Sequence, residues 1–230
     1  MILAVAAMQE EYQELEALME NPQEGEFNGV KYHQGRIEDK DVVLMLSGIG
    51  KVNASWSIVT ILNELDIDFI INIGSAGGVV NNHHVKAMDI VVAKKVCQHD
   101  VDLTAADRPL GMLPNLPVYY ESAVSDNMMK SLSETGLTYH YATIASGDTF
   151  VADTEKVTHI TDNFEDVCAV EMEAGAIAQI AFLKKIPFVV FRSISDVIGD
   201  SDSNQIQFEQ YIQLASKNSA KAAHTIIKAL

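Results

Sequence analysis

The stretch CAVEMEAGAIAQIAFLKKIPFVVFRSISD, Cys168 to Asp196, decides the fold. Two short apolar runs, CAVEM (168–172) and PFVVFRSISD (187–196), flank a segment of helical period, EAGAIAQIAFLKK (173–185). That alternation is the signature of an α/β layer fold. Both runs are nearly continuous in apolar residues, as expected of strands covered on both faces. Each run ends in polar groups: Glu171 and Glu173 after the first, Arg192, Ser195 and Asp196 along the second. In open α/β sheets the ligand crevice lies beyond the carboxyl ends of the strands, so the stretch also marks where a site belongs.

The same alternation extends in both directions. ILAVAAM (2–8) reads as a strand, and QEEYQELEALME (9–20) as a helix with Tyr12, Leu15 and Leu18 or Met19 on its apolar face. VKYHQGRIEDKDVVLMLS (30–47) reads as a hairpin turning at Glu38 to Asp41, followed by a helix (51–65) and the strand DFIINIGSA (68–76). A strand at 88–98 leads into DLTAADRPLGMLPNLP (102–117), a loop held open by three prolines and a glycine. A helix near 122–135, a strand at 139–148, a helix at 154–164 and a last helix from about Gln205 complete the pattern. No linker, repeat or low-complexity tract interrupts it, so one domain over 1–230 is expected.

Composition excludes several classes. Sixteen Lys and Arg against 32 Asp and Glu give a formal charge of −16, without a basic cluster, so nucleic acid and anionic membranes would be repelled. MILAVAAM lacks the basic flank of a secretory signal, and no apolar run approaches the ~20 residues of a membrane span. Cys97 and Cys168 lie far apart in strand-like contexts and read as free thiols of a cytoplasmic protein.

Motifs narrow the chemistry further. GSAGG (74–78) lacks the spacing of a dinucleotide-binding turn, and SGIGKVNA (47–54) lacks that of a phosphate loop, with Val52 where a magnesium-binding hydroxyl belongs. His83-His84 and Cys97-Gln98-His99-Asp100 do not have the paired spacing of a zinc site. No nucleophile elbow accompanies the serines, and neither cysteine has an electropositive setting. What remains is a carboxylate-rich crevice with one arginine. Strand alternation would place Arg192 and Asp196 on one face, about 13 Å apart, and Glu171 and Glu173 would likewise share a face if their strand runs that far. Paired carboxylates accept the vicinal hydroxyls of a sugar, and a protonated acid beside an oriented water hydrolyses glycosidic bonds.

At these residues the chain resembles the purine nucleoside phosphorylase/uridine phosphorylase superfamily, and most closely its 5′-methylthioadenosine/S-adenosylhomocysteine nucleosidases. The matching segments are AAMQEE (6–11), SGIGKVNA (47–54), INIGSAGG (71–78), ASGDTFV (145–151), AVEMEAGAIA (169–178), PFVVFRSISD (187–196) and FEQYIQLAS (208–216). QHDVDLTAADRPLGMLP (98–114) is also similar to nucleosidases acting on 6-amino-6-deoxyfutalosine. The resemblance implies a three-layer α/β/α sandwich around a central mixed β-sheet, no cofactor and no metal. It implies that Glu11 and Arg192 hold the attacking water near Ser75, and that Glu173 binds the ribose hydroxyls while Met172 packs on the sugar. Asp196, assisted by Ser195, would protonate the adenine at N7; Phe150 would stack on the base and the Val151 backbone would read its edge. Ala76, Gly77 and Glu171 would line the substrate site, with the role of Glu171 unassigned. Met8, Ile49 and Phe208 would form the slot for the 5′ substituent, closed in a homodimer by Leu103 and Pro114 of the partner's loop.

The resemblance also bears on water against phosphate as the acceptor, since it implies that Glu11 stands where the related phosphorylases place cationic groups for phosphate. Glu11, inside the acidic run QEEYQE, would repel a phosphate dianion by several kcal/mol at ~4 Å and an effective dielectric near ~20. Hydrolysis is therefore expected, with a nucleoside phosphorylase and a non-catalytic nucleoside-binding module as the alternatives. An acid role for Asp196 near neutral pH requires surroundings that raise its pKa.

Overall fold

The computed structural model describes residues 1–80, 83–199 and 204–230. Among these residues eleven strands form one mixed sheet, and the chain enters it through β1 (Ile2–Ala6), whose residues are all buried. α1 (Gln9–Glu16) follows, then β2 (Glu20–Phe27), β3 (Val30–Ile37) and β4 (Lys40–Leu46). α2 (Lys51–Glu64) leads to β5 (Phe69–Asn72), β6 (Ser75–Val79) and β7 (Ile90–Gln98). After a single 3-10 turn at Thr104–Ala106 come β8 (Tyr119–Glu121), α3 (Asp126–Ser133), β9 (Tyr139–Ser146) and α4 (Thr154–Asn163). β10 (Val167–Glu171), α5 (Ala174–Lys184), β11 (Phe188–Ile198) and α6 (Asn204–Ala229) complete the chain.

The strand order is β2-β3-β4-β1-β5-β11-β6-β10-β9-β7-β8, with a further pairing of β11 to β7. That pairing closes β11, β6, β10, β9 and β7 into a ring, a curvature the linear pattern of apolar runs does not reveal. Around β1 and β5 the pairs are parallel, while the β2-β3-β4 meander and the β6–β10, β7–β8 and β7–β11 pairs are antiparallel. Helices cover both faces. Ala54, Ile58 and Ile61 of α2 and Ala174, Ile177 and Ala181 of α5 share one core cluster. Tyr12 and Leu15 of α1, Met128 and Leu132 of α3, and Ala223, Ile226 and Ile227 of α6 share the other. The result is the three-layer α/β/α sandwich around a mixed sheet. No described helix is long and apolar enough to cross a membrane.

Four local features differ from the linear reading, each for a physical reason. The first helix stops at Glu16, and Met19, from beyond its end, fills the core while Leu18 stays exposed. β2, ENPQEGEF, is polar, mostly exposed and carries Pro22; it is a strand because β3 pairs with it at the sheet edge, not by propensity. The run 68–76 is two strands, broken at Gly74 with φ +152°, so that β5 lies between β1 and β11 while β6 crosses to the far side of β11. A register shift between Ile194 and Asp196 places a bulge at Ser195. Phe188, Val190 and Ile194 therefore share their core cluster with Val197, and Asp196 leaves the face on which alternation from Arg192 would have put it.

Candidate active site

The carboxyl ends of β1, β10 and β11, together with the start of β6, open on a cavity of about 280 Å³. Its floor is acidic. Glu11, Glu171, Glu173 and Asp196 line it, and no basic side chain does so among the described residues.

Glu11 reaches the cavity by folding back over the start of its own helix. Oε2 accepts from the amides of Ala7 and Met8, both at 3.1 Å, and Oε1 from the Ser75 amide at 2.9 Å and the Ser75 hydroxyl at 3.0 Å. A carboxylate suits that position because the free amides of a helix N-terminus carry partial positive charge. Gly74 permits the approach: a Cβ there would sit 3.0 Å from Glu11 Oε1, at a φ that side-chain-bearing residues avoid. Burial raises the pKa of Glu11, opposed by the charge of Arg192 and by the Ser75 and Met8 donors.

Arg192 lies beneath the wall rather than on it, 1% exposed. Nη1 donates to the carbonyls of Asn72 and Phe191 at 3.2 and 3.1 Å, and Nη2 to Asn72 Oδ1 and Glu171 Oε2, both at 2.6 Å. Its terminal N–H groups are thus directed at protein acceptors on β5, β10 and β11. Asn72 was not singled out from sequence; its one signal is an amide inside the apolar run FIINIG.

Glu171 is the last residue of β10 and is held at the start of α5 by the amides of Glu173 (3.0 Å) and Ala174 (2.9 Å). The strand does not continue to Glu173, which is the N-cap of α5; the turn, and not strand alternation, turns both carboxylates to one cavity. Glu173 Oε1 accepts from the Gly50 amide at 2.7 Å. Burial, reinforced by the Glu171 charge, pushes the Glu173 carboxyl up to about 8, against the pull of Arg192 and the Gly50 amide.

The bulge at Ser195 turns both Ser195 and Asp196 to the cavity. Ser195 Oγ lies 2.8 Å from Asp196 Oδ1 and 3.2 Å from the Ala76 carbonyl oxygen. Gly77 lies close beside this end: a Cβ there would meet Ile198 Cδ1 at 3.3 Å and Val170 Cγ2 at 3.4 Å.

Apolar groups form the rest of the wall. Met8, Ile49, Val151, Met172 and Phe208 line it, and the rings of Phe150 and Phe208 meet edge to face at 6.1 Å. Ile49 and Phe150 are about half exposed and frame the mouth. Ser75, Ala76 and Gly77 contribute the wall between Glu11 and Asp196. Ala7, Thr149 and Val170 also line the cavity, next to residues that sequence did single out. Leu103 and Pro114 do not: they lie on the 99–118 loop, Leu103 half-buried and Pro114 exposed.

A cavity of this size, with an apolar mouth and acidic hydrogen-bonding groups on its floor, is suited to a small molecule with an apolar part and polar groups. Comparison with known proteins agrees. The phosphorylase superfamily model matches residues 1–228. The 5′-methylthioadenosine/S-adenosylhomocysteine nucleosidase of Bacillus licheniformis is 39% identical over 230 residues, 99% of this chain and 98% of that one. An adenine-bound chain from Borrelia burgdorferi superposes with a TM-score of 0.93 at 35% identity, all of both chains being covered. Futalosine hydrolase of Helicobacter pylori superposes with a TM-score of 0.92 at 28% identity, covering 100% of this chain and 97% of that one. On fold, cavity and these likenesses together, the chain belongs to the phosphorylase superfamily, among its 5′-methylthioadenosine/S-adenosylhomocysteine nucleosidases.

Proposed function

We propose that residues 1–230 act as one nucleosidase domain that hydrolyses the N-glycosidic bond of 5′-methylthioadenosine and S-adenosylhomocysteine, releasing adenine. The likeness to a futalosine hydrolase supports 6-amino-6-deoxyfutalosine as a further substrate, and 5′-deoxyadenosine carries the same base and ribose. One observation carries the choice of water over phosphate: four acidic side chains line the cavity with no basic one beside them among the described residues, while the nearby guanidinium is bonded to Glu171. Among the described residues a phosphate dianion would meet no cationic side chain on the cavity wall.

In this reading the base enters between Phe150 and the Val151 backbone, the ribose rests on Met172, and its hydroxyls donate to Glu173. Met8, Ile49 and Phe208 take the 5′ substituent, and Ser75, Ala76 and Gly77 back the sugar and base. As C1′–N9 stretches, the ribosyl ring gains positive charge, which the carboxylate floor stabilises. Asp196, hydrogen-bonded to Ser195, gives its proton to N7 of the leaving adenine, and Glu11 orients the water that attacks C1′. Arg192 acts through charge: it favours the ionised form of Glu11 against burial.

The working unit is a homodimer in which Leu103 and Pro114 close the partner's 5′ slot. Support comes from α2 and α5, which pack against each other and carry the exposed apolar side chains of Val52, Trp56, Phe182 and Leu183. Two buried free thiols, Cys97 and Cys168, fit a reducing cytoplasm.

The test is incubation of purified protein with each nucleoside in phosphate-free buffer, with free adenine quantified. Adenine release without phosphate is expected. A rate that requires phosphate, with ribose 1-phosphate as product, would establish a phosphorylase instead; a stable uncleaved complex would establish a binding module.

A further inference from the structure

The N-terminus of α2 cannot cap itself, because Gly50 has no side chain. Carboxylates from other segments take its first amides: Gly50 N donates to Glu173 Oε1 and Lys51 N to Asp148 Oδ1, both at 2.7 Å. Glycine is required at 50, where φ is +94° and a Cβ would sit 3.1 Å from Asp148 Oδ1. Asp148 immediately precedes the cavity-lining segment Thr149, Phe150 and Val151. The two carboxylates therefore fix one helix end against both the proposed ribose-binding group and the proposed base-binding segment.

Asp100 closes this arrangement from outside the cavity. Its Oδ1 accepts from Lys51 Nζ at 2.7 Å and its Oδ2 from the Asp148 amide at 2.9 Å. Lys51 Nζ also donates to Gln98 Oε1 at 3.3 Å, and Gln98 Nε2 donates to Gln179 Oε1 at 2.8 Å on α5, the helix that Glu173 caps. An isolated ion pair with side chains 19% and 24% exposed would contribute little. This one belongs to a closed set of bonds joining α2, the 147–151 segment and α5, in which each bond holds the geometry of the next.

We infer that Asp100, paired with Lys51, is a positioning residue that keeps the Gly50 N–H on Glu173 and the Thr149–Val151 segment against the base. The inference rests on the nucleosidase reading for its kinetic consequence and on geometry alone for the clamp. Loss of Asp100 leaves Lys51 without its carboxylate and releases the Asp148 amide; Gly147 N to the Glu171 carbonyl, at 3.0 Å, and Lys51 N to Asp148 Oδ1, at 2.7 Å, then remain to hold that segment. Because the ribose grip acts on substrate and transition state alike, its loosening appears mainly in KM. Glu173 also faces Glu171 on β10, Arg192 and Asp196 on β11 and Glu11 on α1; removal of the Gly50 donor leaves the acidic majority less opposed.

The test compares wild type with Asp100→Ala, Lys51→Met and the double variant, full chain in each case. Asp100→Ala should raise KM for methylthioadenosine by about tenfold with a smaller change in kcat, as expected when reacting groups are slightly misplaced. The limb of the pH profile governed by Glu173 should move to higher pH, and deuterium exchange at the Gly50 and Lys51 amides should accelerate. Lys51→Met should reproduce these changes, and the double variant should be no worse than the singles. If Asp100→Ala does not fold, Asp100→Asn, whose amide cannot serve both donors, carries the same readouts. Unchanged KM, pH profile and exchange, or a loss confined to the active fraction, would overturn the inference. Failure of wild type to release adenine would instead overturn the nucleosidase reading, and amide exchange alone would then decide the clamp.

Discussion

Arg192 Nη2 lies 2.6 Å from Glu171 Oε2, with both side chains almost wholly removed from solvent. The pair ties β11 to the β10–α5 turn, and the Glu171 carboxylate also accepts from the Glu173 and Ala174 amides. Glu171 thereby acquires a role that its position in the sequence did not give it: it holds the helix start that presents Glu173 and the guanidinium that lies under the acidic floor. Removal of Glu171 takes its bonded carboxylate from a buried guanidinium and the acceptor from two amides at the helix start. Glu171→Ala should lower unfolding free energy by about 3–5 kcal/mol, the usual cost of breaking one side of a buried pair. Urea denaturation measures it, and a loss below about 1 kcal/mol would reduce the pair to packing.

Glu173 should govern an alkaline-rising limb of kcat/KM. Its carboxyl, raised to about 8 by burial and the Glu171 charge, holds its proton above the usual carboxylate range in the free protein, while the ribose hydroxyls need the ionised acceptor. The profile should therefore climb through pH 8, and Glu173→Gln should remove that limb along with most of the affinity. A profile flat from pH 6 to 9 in wild type would show that the ionised form is not needed.

The same shift has the opposite sign for stability. A carboxyl raised from its ordinary 4.5 to about 8 binds its proton more tightly folded than unfolded. Its contribution is fully present below pH 4.5 and is lost as pH rises through about 8. Glu11, also raised, acts in the same direction. Glu173→Gln should thus stabilise the ligand-free protein at pH 8 relative to pH 5, on the order of 1 kcal/mol or roughly 2–4 °C in Tm. Thermal unfolding at the two pH values checks it; an equal effect at both would remove the titration as the cause.

Asp196→Asn should keep the Ser195 contact and the shape of the cavity while withdrawing the proton donor. The expected result is a fall in kcat of about 10²–10⁴ with KM within a few-fold of wild type. Single-turnover assays of adenine release separate this from weakened binding. Turnover near the wild-type rate would assign the acid elsewhere.

Much of the site was readable because its residues sit at the ends of apolar runs, where the chain leaves the core and polar groups need a reason to be buried. Glu11, Glu171, Glu173, Ser195 and Asp196 all stood out on that ground, and all line one cavity. The parts that were not readable depend on partners distant in sequence. Nothing in ENPQEGEF announces a strand, because its partner β3 supplies the pairing. The side-chain partners of Arg192 are 120 and 21 residues away, and the link from Lys51 to Asp100 spans 49.

By itself the sequence determined the alternation of strands and helices, the burial of both sheet faces and the acidic character of the strand ends, since these follow from local period and composition. Only the tertiary structure decided that β5 and β6 part at Gly74, that a bulge at Ser195 turns Asp196 to the cavity, and that Arg192 answers to Glu171. Hydrogen-bond register between strands is a long-range property: one inserted residue reverses every side chain beyond it, and no local pattern records where that insertion falls.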